Sequence, residues 1–147
     1  MPVRYFPRAA LIALLLCPLA QAEVHEIKML NRGTQGSMVY EPDFLRIAPG
    51  DTVRFVPTQS GHNAASIPGL LPAGVEPFKS KINQPLELTL ERPGLYGIQC
   101  SPHVAMGMVM LIQVGEPIEK TPALPAELAK RAGERFNTIV QRELSAR

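Results

Sequence analysis

The stretch PLELTLERPGLYGIQC, residues 85–100, contains two strand patterns joined by a turn, and it decides the fold class. In its first half apolar and polar residues alternate, which is typical of a strand with one dry and one wet face. The segment ERPG, residues 91–94, then supplies residues that favour a turn. In the second half Tyr96, Ile98 and Cys100 share one face, because side chains two residues apart point the same way. We therefore expect Cys100 to end this strand with its thiol facing the core.

Similar short runs recur from Glu23 to about Gly115, where Gly, Pro, Asn or Asp interrupts them every few residues. This spacing predicts an all-β sandwich of about seven or eight strands. The segment SGHNAASIPGLLPAGVEPFKSKIN, residues 60–83, has no sustained period and is predicted to be a long connection that carries function. The segment NRGTQG, residues 31–36, reads as a turn. The predicted strands contain the segments VHEIKML, MVY, FLRI, TVRFV, LELTL, LYGIQC and MVMLIQV.

The character of the sequence changes after Gly115. A proline-bearing linker, EPIEKTPALP, is followed by AELAKRAGERFNTIVQREL, whose apolar residues recur with a helical period. We expect one helix, or two if Gly133 divides it, docked on the sandwich, with a partner-binding or membrane-surface helix as the alternative. The predicted organisation is a signal peptide over 1–22 and a single domain over 23–147. Within that domain the sandwich spans 23–115, and the linker and C-terminal helical extension span 116–147.

The first 22 residues have the pattern of a cleaved signal peptide. Arg4 and Arg8 precede an apolar run that is too short to span a bilayer, and AQA ends the segment in a cleavage pattern. Cys17 makes a lipid-modified cysteine the alternative, but the bulky Leu16 before it is a poor match for such a site. Without Arg4 and Arg8 the 13 remaining basic residues equal the 13 acidic ones. An exported soluble protein is therefore expected, with no overall charge to attract nucleic acid or an anionic membrane.

The predicted mature chain contains one cysteine, Cys100, so it has no partner for an internal disulfide. A histidine follows three residues later, at His103, and Met106 and Met108 come next. Two His, one Cys and a weakly bound Met suit a copper ion that alternates between Cu(I) and Cu(II). His62, in the long connection, is the better second imidazole. His25 lies in the first predicted strand and is expected to have a structural role. The spacing alone does not decide whether Met106 or Met108 is the methionine ligand.

Three other interpretations fit these residues less well. Cys100 and the methionines fit a buried core, but that leaves the pairing of one exported cysteine with two loop histidines unexplained. A Cys–His thiol hydrolase leaves the methionines unexplained and offers no obvious oxyanion hole. Zinc accepts Cys and His but gains nothing from a thioether. The sequence shows no glycine-rich phosphate loop and no Ser-His-Asp pattern, so an enzyme is not expected.

Several separated segments resemble the cupredoxins, and within them the pseudoazurins, along nearly all of the predicted mature chain. The resemblance implies a Greek-key β-sandwich with one type 1 copper ion, two C-terminal helices and a periplasmic electron carrier. It places the copper ligands at His62, Cys100, His103 and Met108. The matching segments are GSMVYEP, PGDTVRF, GHN, PFKSKIN, PG-Y, C-PH-AMGM and the helical tail.

The resemblance also implies a surface through which the electron passes at the His103 ring. It implies periplasmic partners, such as a copper or cytochrome-type nitrite reductase and a cytochrome donor, and a monomeric carrier without a membrane anchor. Pseudoazurins commonly surround this surface with lysines, whereas this chain has Ser60 and Gln99 beside the ligands. Basic candidates for docking are Arg32, Lys79 and Lys81. Candidates for the apolar patch are Met38, Pro57, Ile67, Pro68, Leu70, Leu71, Pro102 and Met106.

Two further side chains are expected to influence the thiolate of Cys100. Pro102 has no backbone N–H to donate near the sulfur, and a withheld hydrogen bond alters the potential of a metal site. Asn63 is the candidate source of the hydrogen bonds that remain.

Overall fold

The computed structural model describes residues 21–118 and 123–144. The predicted signal peptide therefore lies outside the described residues except for its last two. The described chain contains eight strands, one short 3₁₀ turn at Val104–Met106 and one α-helix. The elements are β1 Val24–Gly33, β2 Gly36–Glu41, β3 Phe44–Ile47, β4 Thr52–Val56, β5 Ala65–Ser66, β6 Leu86–Thr89, β7 Gly94–Gln99, β8 Val109–Val114 and α1 Lys130–Glu143.

The strands form two four-stranded sheets, in the orders β2-β1-β4-β6 and β3-β8-β7-β5. Strands β1 and β4 are parallel, as are β3 and β8, and the remaining neighbours are antiparallel. The predicted β-sandwich is confirmed. The seven predicted strands are present. Strand β5 was not predicted, because a strand of two residues is too short to show an alternating pattern. The expected turn at residues 31–36 is shorter than predicted, since β1 continues to Gly33 and only two residues separate it from β2.

The main core lies between the two sheets and consists of side chains from their facing sides. Tyr96, Ile98 and Cys100 all belong to it, as the alternation in β7 predicted. On the following strand, β8, Met110, Ile112 and Val114 face the same core. Because these buried positions alternate along each strand, the register of the β7–β8 pair determines which side chains point inward.

The α-helix covers the outer face of the second sheet. Its buried residues Ala132, Phe136 and Ile139 pack in a second apolar cluster that includes Val109 and Leu111 of β8. Strand β8 is therefore buried on both faces. Gly133 does not divide the helix, because its N–H donates to the Ala129 carbonyl at 3.0 Å and the helical bonding continues through it. Within the described residues no helix combines the length and apolar content needed to cross a bilayer.

His25 has the structural role that its strand position suggested. Its Nε2 lies 2.9 Å from Asp51 Oδ2, and the backbone N–H of Glu23 donates to Asp51 Oδ1 at 3.0 Å. This network joins the start of β1 to the start of β4, which pair at Val24 and Thr52. Since β1 and β4 run parallel, His25 lies at the end of the sheet opposite to the loop that follows β4.

Candidate metal centre

Two connections at one end of the sandwich carry the candidate metal ligands. His62 lies in the connection between β4 and β5, and the β7–β8 connection contains Cys100 and His103. The second connection is closed by backbone hydrogen bonds. The N–H of Cys100 donates to the Met108 carbonyl at 3.0 Å, and the N–H of His103 donates to the Cys100 carbonyl at 3.0 Å. The two ends of this loop are therefore fixed to each other by the strands that it joins.

The structure brings His62, Cys100 and His103 together, with their candidate ligand atoms within 4.8 Å of one another. Cys100 Sγ lies 3.7 Å from His62 Nδ1 and 3.5 Å from His103 Nδ1. The two imidazole centroids are 4.9 Å apart. Each histidine thus presents the same ring nitrogen to the thiol.

These separations fit a metal ion held between the three atoms. Bonds of about 2.3 Å to sulfur and about 2.0 Å to nitrogen place the two ligand atoms about 3.7 Å apart at a trigonal angle, and about 3.5 Å apart at a tetrahedral one. The observed sulfur–nitrogen distances are 3.7 and 3.5 Å. A metal ion therefore needs no large movement of these side chains to bind.

Asn31, on β1, orients His62 and was missed by sequence reasoning. Asn31 Oδ1 accepts a hydrogen bond from His62 Nε2–H at 2.8 Å. Because an amide oxygen only accepts, this bond keeps the proton on Nε2 and leaves Nδ1 free to bind a metal. The contact joins residues 31 positions apart, so no local pattern in the sequence indicates it.

Burial raises the pKa of the Cys100 thiol, while the backbone N–H groups of Asn63 and His103 act in the opposite direction. Burial also lowers the pKa of His62, and the neighbouring His103 adds to this effect. Both shifts favour the neutral groups. A bound cation would supply the charge that a buried thiolate needs, so the site is electrostatically suited to a metal ion.

Asn63 ties the two connections together. Its side chain accepts a hydrogen bond from the Ser101 N–H at 2.8 Å and donates to the Ser80 carbonyl at 3.1 Å. Its own carbonyl accepts a bond from the buried Tyr40 hydroxyl at 2.7 Å. The segments that carry His62 and Cys100 are thus joined by hydrogen bonds through Asn63.

The structure separates the two candidate methionines. Met108 is fully buried and belongs to the same core cluster as Cys100. Met106 is 44% exposed and lines a surface cleft beside α1. Met38, half-buried against the main core, has an unusual positive φ of 51°. Of the two loop methionines, Met108 has the burial expected of a metal ligand.

One edge of the site reaches the protein surface. His62, Cys100 and Met108 are fully buried, whereas His103 is only partly buried. Gly61, with a φ of +98°, lies against this ring, and a Cβ added there would be 3.8 Å from His103 Cε1. The imidazole of His103 is therefore the contact between the site and the solvent.

The predicted apolar patch is smaller than the sequence suggested. Ile67 and Leu70 are 2% exposed and pack in the cluster beneath α1, so they were wrongly placed at the surface. Pro68, Pro102 and Met106 are exposed as expected, and Met38, Pro57 and Leu71 are half-buried. The basic candidates Arg32, Lys79 and Lys81 are all exposed.

Comparisons with known proteins agree with this geometry. Residues 27–115 match the family of copper binding proteins called the plastocyanin/azurin family. The chain is 49% identical over 130 residues to a pseudoazurin of Paracoccus pantotrophus, covering 88% of this chain and 90% of that one. It is 46% identical over 138 residues to a putative pseudoazurin of Rhizobium leguminosarum, covering 89% and 90%. The solved structure of a pseudoazurin from Sinorhizobium superposes with a TM-score of 0.77 at 39% identity, covering 82% of this chain and 97% of that one.

Proposed function

Because the chain belongs to the plastocyanin/azurin family of copper-binding proteins, we propose that it is a type 1 copper electron carrier of the pseudoazurin kind. The proposed ligands are His62 Nδ1, Cys100 Sγ, His103 Nδ1 and the thioether of Met108. Thiolate and thioether suit Cu(I), and imidazole suits both oxidation states. Copper held there would supply a one-electron couple. We propose no substrate chemistry for this site, so the proposed role is that of an electron carrier and not of an enzyme.

The contacts around the ligands support a carrier that changes shape little between oxidation states. Asn31 holds one imidazole, and Asn63 joins the segments that carry His62 and Cys100. The loop ends are bonded to each other through Cys100 and Met108. Since neither connection is free to move alone, the ligand atoms keep their positions when the charge of the site changes.

The partial exposure of His103 supports transfer through its ring. The other three proposed ligands are buried, so water is kept from the site while one imidazole edge meets the partner. The small patch around it, with Pro102 and Met106, suits a weak and short-lived complex. We propose a periplasmic reductase, such as a copper or cytochrome-type nitrite reductase, as acceptor and a cytochrome as donor. The predicted signal peptide over 1–22 and Arg32, Lys79 and Lys81 at the surface fit this role.

The observation that carries the proposal is the convergence of two imidazole Nδ1 atoms on a buried thiol, at 3.7 and 3.5 Å. Adding Cu(II) to the purified chain that begins at Glu23 should give an intense blue colour, which ascorbate removes and an oxidant restores. The absorption band that gives this colour requires a copper–thiolate bond, so Cys100→Ser should abolish the blue colour. His25→Gln is the matched control and should stay blue, because His25 contacts Asp51 at the far end of the sheet.

Two results would contradict this assignment. A Cys100→Ser variant that remained blue would show that the thiol is not a ligand. A wild-type protein that stayed colourless and bound only Cu(I) would favour the alternative, a copper-binding or copper-delivery protein without a shuttle role.

A further inference from the structure

Met38 has a backbone conformation that is unusual for its residue type. Its φ is 51°, and the other described non-glycine residue with a positive φ is Asn83. Asparagine tolerates this left-handed region, whereas a long apolar side chain rarely adopts it. Such a conformation persists only where the surrounding contacts impose it, and it is found most often at functional sites. The contacts that impose it on Met38 are therefore of functional interest.

Arg135 of α1 provides one of these contacts. Its Nη1 donates to the Met38 carbonyl at 2.9 Å, although the two residues are 97 positions apart in the chain. Strand β2 lies at the edge of its sheet, where carbonyl groups on the outer side have no neighbouring strand to bond them. Burial lowers the pKa of Arg135, while the charge of Asp43 acts in the opposite direction. The guanidinium is thus partly desolvated where it holds Met38, and Asp43 supplies part of the balancing charge.

Met38 lies opposite Asn31, the residue that orients His62. The two occupy facing positions of β2 and β1, between regular pairs of the register, and the regular pairing is interrupted there. Facing residues of an antiparallel pair lie on the same side of the sheet, with Cβ atoms about 4.5–5.5 Å apart. Asn31 Oδ1 accepts from His62 Nε2–H at 2.8 Å. The backbone of β2 at Met38 therefore borders the position from which Asn31 reaches His62.

The other contact of Asn31 fixes its main chain but not its amide. The backbone N–H of Asn31 donates to Gln59 Oε1, in the connection that follows β4. Asn31 is exposed, so water competes for its side-chain oxygen. The facing Met38 is half-buried and packs against the main core. The direction of the Asn31 amide thus depends on how firmly the facing part of β2 is held.

We propose that Arg135 is a positioning residue for the metal centre. By holding the Met38 carbonyl it fixes the edge strand β2 against Asn31 and keeps Asn31 Oδ1 directed at His62 Nε2. The C-terminal helix then supports the orientation of a metal ligand, in addition to covering the second sheet. The consequence for copper binding rests on the proposed function, whereas the consequence for the His62 ring does not.

The test compares the wild type with Arg135→Gln, in proteins that begin at Glu23. Glutamine is shorter than arginine and uncharged, so we expect it to leave the Met38 carbonyl to water. In the copper-free protein, two-bond nitrogen–proton couplings measured by NMR show which ring nitrogen of His62 carries the proton. The wild type should show Nε2–H, and Arg135→Gln should show a mixture of the two tautomers. Competition with a Cu(I) chelator should show an affinity that is about three- to tenfold lower in the variant.

Arg142→Gln is the matched control, because it removes the same group from the same helix. The ion pairs that it breaks are with Asp43 and Glu143, and they lie away from Met38 in the described chain. The His62 tautomer should then stay as in the wild type, and the Cu(I) affinity should change by less than about twofold. Urea unfolding of both variants separates a general loss of stability from an effect on the His62 ring.

A combination of variants tests whether Arg135 acts through Asn31. In the Asn31→Ala background, Arg135→Gln should change the Cu(I) affinity by less than about twofold, because the contact that it supports is already absent. Full additivity of the two losses, an equal loss in Arg142→Gln, or an unchanged His62 tautomer in Arg135→Gln would each overturn the proposal.

Arg135→Lys provides a second variant in case Arg135→Gln does not fold. It keeps the charge and a donor, and the contact with Met38 uses a single N–H, so the Nε2–H tautomer of His62 should be retained. A folded Arg135→Lys protein with mixed tautomers would also overturn the proposal. A wild type that stayed colourless with Cu(II) would refute the proposed function, while the His62 measurement in the copper-free protein would still test the role of Arg135.

Discussion

Replacing Asn31 by alanine would remove the contact that orients His62. In the native chain Asn31 Oδ1 accepts a hydrogen bond from His62 Nε2–H at 2.8 Å, and His62 is fully buried. The free lone pair then lies on Nδ1, 3.7 Å from Cys100 Sγ. In the variant either nitrogen can carry the proton, and the ring loses the contact that fixes its plane. Copper binding must then restore both the tautomer and the orientation.

The expected loss of copper affinity follows from the role of hydrogen bonds that orient metal-binding side chains. Removing a hydrogen-bond partner of a metal-binding histidine weakens metal affinity by about 10- to 100-fold, or about 1.4–2.7 kcal/mol. The copper-free protein should lose at most about 1 kcal/mol, because Asn31 is exposed and water can replace its amide oxygen at His62 Nε2–H. The strand itself should persist, since the backbone N–H of Asn31 is bonded separately to Gln59 Oε1. The change in copper affinity should therefore exceed the change in folding stability.

Competition with a Cu(I) chelator measures the affinity, and urea unfolding of the copper-free protein measures the stability. Asn31→Asp keeps an oxygen acceptor at this position and should retain most of the affinity. Asn137→Ala, on the exposed side of α1, is the control and should change neither quantity. An Asn31→Ala variant that bound Cu(I) within about threefold of the wild type would refute the orienting role.

Three further outcomes are expected. Gln113 is fully buried, and neither atom of its side-chain amide has a hydrogen-bond partner among the described residues. Gln113→Met should therefore raise the free energy of unfolding, measured by urea titration, by about 1–3 kcal/mol. A lower free energy of unfolding would mean that the amide has a partner. Gly107→Ala should lower the free energy of unfolding more than Gly36→Ala. Both glycines have a positive φ, but only a Cβ at position 107 would contact backbone atoms of another segment. Equal losses of stability in the two variants would exclude this packing effect. Hydrogen bonds from the Glu23 N–H and then His25 hold the pKa of Asp51 below its usual range. The stabilisation by this carboxylate is therefore present above about pH 4 and lost as the pH falls through the lower folded pKa, so urea midpoints of wild type and Asp51→Asn should converge in acid; a constant gap would contradict this.

Sequence patterns predicted the features that depend on local periodicity. Alternation in residues 85–100 located β6 and β7 and placed Cys100 on the face that packs in the main core. When one face of a sheet is buried, apolar residues recur at every second position of its strands. The sequence of a single strand therefore indicates which of its side chains face the core. The histidine of the long connection was recognised because no strand or helix pattern accounts for it.

Features created by contacts between distant segments were not predictable in this way. Asn31 resembles any polar residue near a turn, and only the parallel pairing of β1 with β4 places it beside His62. Ile67 and Leu70 were expected at the surface because the sequence does not show which face α1 covers. Once the helix is in place they lie beneath it, in the same cluster as Phe136. Gln113 is buried on β8, and the sequence alone did not indicate that both faces of this strand are covered.

The position of the proposed site follows from strand parity and strand direction together. Cys100 faces the core because it continues the series Tyr96 and Ile98, and a register shift of one residue would turn the thiol away from both imidazoles. His62 reaches the same end because β4 runs parallel to β1 and its connection therefore emerges where Asn31 lies. The antiparallel turn between β7 and β8 then returns His103 towards the surface. A buried thiol with one exposed imidazole is thus a consequence of how the two sheets are connected.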